Sequence, residues 1–156
     1  MTANENETLT VERQEQGKEN AMAGPIDITL TAVKNGNVIS ILGDGDANIP
    51  QNQAATRFNF TLNDGTGFNV KFASLDTADN STACPPAAGE NSRQIVGVTL
   101  QNNQSPRTAS FTDNNSNLAA NGPMNVTYAW NFTCDAGATV LQFDPIITNG
   151  GKTGPL

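Results

Sequence analysis

The sequence contains no histidine. That excludes Ser-His-Asp and Cys-His nucleophilic machinery and every zinc site that needs an imidazole. Positive charge is also scarce, with eight Lys and Arg against fifteen Asp and Glu and a net charge of −7. Nucleic-acid binding needs clustered cations to neutralise phosphates, and these are scattered, so nucleic acid is not an expected partner. No apolar run approaches the roughly 18 residues of a membrane-crossing helix, and no membrane span is expected. The opening MTANENETLT has neither a basic n-region nor a hydrophobic h-region. As written, the chain reads as soluble and without a secretory signal, which favours the cytoplasm unless it is a processed form.

Glutamate is confined almost wholly to the first nineteen residues, and beyond them only Glu90 remains. A glycosidase-type carboxylate pair would have to draw on Glu90 and on Asp residues in NDGTG and CDAGA, where Asp ordinarily serves the turn. No phosphate-cradling loop is present, because GDGDAN lacks the lysine and the following helix. The expectation is therefore that the protein is not an enzyme.

What is present is β patterning. Residues 1–24 form a polar arm, flexible or partly helical, that ends at the breaker pair Gly24-Pro25. From residue 25 to 150 the apolar period is two. IDITLTAVK sends Ile26, Ile28, Leu30 and Ala32 to one face, and Asn35-Gly36 before VISIL signals a hairpin. Further strands are expected in RFNFTL, FNVKFASL, QIVGVTLQ, RTASFT, NVTYAWNFTC and TVLQF. About eight short strands predict an all-β fold, an antiparallel β-sandwich, followed by a tail over 151–156.

Alternation sends Met124, Val126, Tyr128, Trp130 and Phe132 to one face of their strand, and assigns nearly all the aromatic rings to the interior. That argues against a sugar-binding platform of the stacking type. The opposite faces, with Thr29, Thr31, Thr127 and Thr133, read as solvated sheet surface.

Cys84 lies in a long loop and Cys134 at a strand end. Their disulfide is the favoured reading and would stabilise by about 4 kcal/mol through loop-closure entropy; two reduced thiols are the alternative.

Three loops are rich in side-chain oxygen. Asp44, Asp46 and Asn48 match positions 1, 3 and 5 of an EF-type calcium loop, but Ile49 occupies the glycine position and Ala55 that of the bidentate glutamate. Asp113, Asn115 and Asn117 repeat the pattern with the same defects, at Leu118 and Met124. A third set is Asp76, Asp79 and Asn80. Loops distant in sequence can meet at one end of a sandwich, so a shared Ca2+ site with Asp44, Asp46, Asn48, Asp113 and Asn115 as donors is one reading. Asx-stabilised turns are the other.

Pro145 has no N–H to give a ladder, which places Asp144, Pro145, Ile146 and Ile147 on the rim of a sheet as an assembly edge. The segment TLTVE of the arm would serve as an added strand on a neighbouring copy.

NVTYAWNFTC followed by QFDPIIT resembles the closing hairpin of the small bacterial inclusion-body proteins, at Val126, Thr127, Tyr128, Phe132, Phe143, Asp144, Pro145 and Ile146. The resemblance implies a soluble β-sandwich without a signal peptide, associated with cytoplasmic inclusions, oligomerisation and, in some members, glycan binding. The reading of the whole sequence is a non-enzymatic binding or self-assembly protein acting through sheet edges and loops, a homo-oligomer. A calcium-dependent, lectin-like glycan module is the first rival and a carboxylate-based hydrolase the second.

Overall fold

The structure, a computed structural model, describes residues 24–80 and 83–154. The expected N-terminal arm, with TLTVE, lies outside the described residues except for Gly24.

The chain forms an all-β fold of two facing sheets. Its strands are β1 (Ile26–Asn35), β2 (Val38–Leu42), β3 (Ala47–Ile49), β4 (Thr56–Asp64), β5 (Lys71–Asp79), β6 (Ile95–Gln101), β7 (Arg107–Asp113), β8 (Met124–Thr133), β9 (Thr139–Val140) and β10 (Ile146–Asn149). One sheet has the order β6-β7-β4-β1-β2-β9 and the other β3-β10-β8-β5. Among the described residues no helix is long and apolar enough to cross a membrane.

Period two shapes β1 and β4, but β8 is buried on both faces from Val126 to Trp130, so Thr127, expected on a solvated face, lies in the interior. Ile28, Leu30 and Ala32 of β1 are buried while Asp27, Thr29 and Thr31 are exposed. Phe58, Phe60 and Leu62 of β4 stand beside them in parallel register. Asn35 pairs with Val38, so Gly36, at φ +62°, turns β1 into β2. The aromatic rings meet in the middle: Phe60 lies 5.4 Å from both Phe111 and Trp130, and Phe111 lies 5.2 Å from Tyr128. These edge-on and tilted contacts are the favoured aromatic geometries. The interior placement read from the alternation is what the structure shows.

The sheets are mixed rather than purely antiparallel. β1–β4, β2–β9 and β3–β10 run parallel. The reason is connectivity: after β2 the chain crosses to the second sheet for β3, returns for β4 and changes sheet at every later connection except β6 to β7. Spatial neighbours are then not sequence neighbours, and hairpins cannot set every pairing.

GDGDANIP is the first of these crossings. A Cβ on Gly45 would lie 2.5 Å from the Tyr128 hydroxyl, 2.6 Å from Pro145 Cγ and 2.8 Å from Phe143 Cε1. One on Gly43 would lie 2.6 Å from Leu30 Cδ2. Both glycines are there because the backbone runs directly over the core.

Three further sequence expectations need correction. Cys84 and Cys134 are free thiols. Cys84 donates to the Asp144 carbonyl at 2.9 Å and Cys134 to that of Ala138 at 3.3 Å. Phe143 bridges Trp130, so Asp144 lies about four to five residues along β8 from Cys134, roughly 13–17 Å at the strand rise. That is far beyond disulfide reach. Next, Asp144, Pro145, Ile146 and Ile147 do not form a rim. β10 is paired on both sides, with β8 and β3, and Ile147 is fully buried. Pro145 precedes the strand, where its missing N–H costs nothing, and its carbonyl accepts from the Tyr128 N–H at 3.2 Å. Finally, the described part of the expected tail is built into the fold, since Gly151 is buried and Lys152 bridges Leu118.

Candidate functional site

The loop Asp44–Asn48 is committed to holding the crossing. Asp46 Oδ1 accepts from the Ile146 N–H at 2.8 Å, and the Gly45 carbonyl accepts from the Tyr128 hydroxyl at 2.8 Å. Burial, with the charges of Asp46 and Asp44 behind it, pushes the Tyr128 phenol far up, so its proton stays on this hydrogen bond. Asn48 is in β3, paired with Thr148.

Asp113 sits elsewhere. It ends β7 on the inward side, in line with Ala109 and Phe111, and is fully buried. Its Oδ1 accepts from the Asn115 N–H and from Asn149 Nδ2, each at 2.8 Å. Asp46 contacts β10 at Ile146, three residues from Asn149, so the two places are about 10 Å apart. The structure therefore does not bring Asp44, Asp46 and Asn48 into one site with Asp113 and Asn115.

Asn115, expected as a ligand, is spent on backbone groups. Its Nδ2 donates to the carbonyls of Pro50 and Gln53, and its Oδ1 accepts from the Gly151 N–H. Asn117 donates through Nδ2 to the Asn149 carbonyl at 3.3 Å. What remains open is Asp113 Oδ2, Asn117 Oδ1 and Asn149 Oδ1, all buried and without a partner. Burial pushes the Asp113 carboxyl up, the bonds from Asn115 and Asn149 oppose that, and the charge of Asp79 adds to the upward push. Asn149 is the member of this cluster that the sequence does not single out; ITNGG reads there as a strand running into a turn.

The third oxygen-rich set is also engaged. Asp76 accepts from the Gly89 N–H and from Asn131 Nδ2, and Asp79 accepts from the Ser92 hydroxyl and the Arg93 N–H. No group of three or more Asp, Glu, Cys or His side chains placed to hold a metal occurs among the described residues.

The two sheets have four edges, and they differ sharply. β9 is two residues long and β3 three, too short to template another strand. β5 is nine residues long but covered. The carboxamide of Asn102 takes both backbone groups of Phe72, the Thr77 N–H donates to the Glu90 carbonyl, and the Ser92 N–H donates to the Thr77 hydroxyl. β6 is seven residues long, carries no charge, and pairs only with β7 among the described strands. Its Val96, Val98 and Leu100 are 44%, 47% and 38% exposed. Gly97, at φ +65°, makes a bulge between Val96 and Thr99. The bulge twists the strand locally, and regular register with β7 resumes over Thr99–Gln101. QIVGVTLQ carried the signal: an uncharged apolar strand with a mid-strand glycine.

No family model matches the chain and no characterised protein matches it in sequence, so neither comparison bears on the resemblance of the closing hairpin.

Proposed function

We propose that the protein is a non-enzymatic self-assembly module that pairs with a second copy of itself through the β6 edge. The observation that carries this reading is the contrast among edges: three are short or covered, and one is long, apolar and uncharged. An exposed strand edge offers its unpaired N–H and C=O groups to another strand, and sheet proteins ordinarily protect such edges with charge, proline, a bulge or a covering loop. Here Asn102 and the segment carrying Glu90 and Ser92 do this for β5, whereas β6 carries only the bulge at Gly97 and has neither charge nor proline.

The magnitudes favour a reversible complex. Covering the exposed part of Val96, Val98 and Leu100 is worth about 1 kcal/mol each. Across a two-fold pair that is about 6 kcal/mol, comparable with the 4–15 kcal/mol lost on association, so the ladder hydrogen bonds decide the outcome. The placement of the aromatic rings in the core supports assembly over sugar stacking.

Amide hydrogen exchange at low and high protein concentration tests the reading. The amides of Val98 to Gln101 should gain protection as concentration rises, while those of β3 and β9 do not. Protection of β6 that is independent of concentration would overturn it.

A further inference from the structure

Three buried oxygen atoms where β7 and β10 end have no donor: Asp113 Oδ2, Asn117 Oδ1 and Asn149 Oδ1. Their residues are 0%, 7% and 0% exposed, and hydrogen bonds link them from Asn117 through Asn149 to Asp113. Both amides are fixed in orientation. Turning Asn149 over would set its oxygen against Asp113 Oδ1, and turning Asn117 over would set its oxygen against the Asn149 carbonyl. The site therefore has a real surplus of acceptors, in a place where an unmet acceptor costs about 1–3 kcal/mol.

We propose that this cluster binds a hard divalent cation of the calcium type, with Asp113 Oδ2, Asn117 Oδ1 and Asn149 Oδ1 as its protein ligands. Carboxylate and amide oxygens are the donors such a cation takes, and water or backbone carbonyls complete its six to eight positions. Asp113 forms no ion pair among the described residues, and the nearby Lys152 ammonium donates to the Gln53 carbonyl instead. Asp79 adds a second negative charge in the neighbourhood. With one carboxylate among the ligands, the affinity belongs to the weak class, about 10⁻⁴–10⁻³ M. The Asp44–Asn48 loop takes no part. The cation would tie the end of β7 to β10, one strand from each sheet, and its effect is on stability, independent of pairing at β6.

The test uses the full chain, stripped with EDTA, with calcium as the probe. At about 10 mM calcium the midpoint of thermal unfolding should rise by roughly 3–11 °C, and native mass spectrometry should count one calcium per chain. Asp113→Asn turns one surplus acceptor into a donor. It should fold, gain stability in EDTA and lose both responses. Asn117→Ala leaves both donors of Asp113 Oδ1 in place and should weaken calcium binding by about tenfold or more; it keeps the test decisive if Asp113→Asn does not fold. No calcium bound to the wild type, the expected result if buried water fills the cluster, would overturn the proposal. So would an undiminished response in Asn117→Ala or in a folded Asp113→Asn.

Discussion

The side chain of Asn102 stands in for a strand beside Phe72: the Phe72 N–H donates to Asn102 Oδ1 at 3.1 Å, and Asn102 Nδ2 donates to the Phe72 carbonyl at 2.8 Å. The carboxamide reproduces both ladder bonds of a neighbouring residue, where β5 bulges away from β8 between Phe72 and Ser74. Replacing Asn102 with Ala leaves both groups without a protein partner. The expected loss is about 1–3 kcal/mol in urea unfolding, together with increased association, because a second edge is opened. A variant as stable and as monodisperse as the wild type would show that the cap is incidental.

Gly45 should tolerate no side chain. Gly45→Ala drives a methyl group into Tyr128, Pro145 and Phe143 together, and overpacking of this kind costs about 1–3 kcal/mol. Gly65→Ala is the matched control, since nothing lies within 4 Å of a Cβ there. Its stability should stay within about 0.5 kcal/mol of the wild type.

Asp64 gives stability a defined pH dependence. Burial pushes its carboxyl up, but the hydroxyl and N–H of Thr66, the N–H of Val70 and the Arg107 guanidinium outweigh that and hold it below the usual carboxylate range. A lowered folded pKa stabilises above the unfolded value, and that stabilisation is lost as pH falls through the folded pKa. Asp64→Asn should therefore be less stable than the wild type above about pH 5, and the gap should close as pH falls below about 4. A gap that does not change with pH would contradict this.

Cys84 should react slowly for an exposed thiol. Burial and the charges of Asp144 and Asp46 push its pKa up, leaving less thiolate at pH 8. Thiol titration without reductant should find both cysteines free in denaturant, and Asp144→Asn should speed the reaction of native Cys84. A single slow thiol in the wild type that Asp144→Asn leaves unchanged would contradict the assignment.

The strands were legible wherever one face is core. IDITLTAVK alternates cleanly, so its inward residues follow from period two, whereas in MNVTYAWNFTC the period finds Val126, Tyr128 and Trp130 but not the burial of Thr127 and Ala129 on the other face. Parallel pairing was not legible, because it depends on a chain that switches sheets at most of its connections, and no local residue encodes that. Pro145 pointed to a rim for the right local reason, yet it needs only to precede a strand, and β10 is flanked on both sides. Asparagine hid the most. In sequence it reads as a turn residue, while here Asn102 caps an edge, Asn115 holds three backbone groups and Asn149 is buried against Asp113. Tertiary contacts set those roles, and the turn reading of Asp113 and Asn115 captured only their local bond. The open edge at Val98 and Leu100 was within reach, since no charge interrupts QIVGVTLQ, but choosing it required knowing which strands end each sheet.

The most direct test of assembly is sedimentation of the wild type and of Val98→Lys across a range of protein concentrations. Val98 is already 47% exposed, so lysine fits there without disturbing the fold. The account predicts a wild type that moves from monomer toward dimer as concentration rises, and a Val98→Lys variant with the same melting midpoint that stays monomeric. A wild type that is monomeric throughout, or a lysine variant that associates equally well, would contradict it.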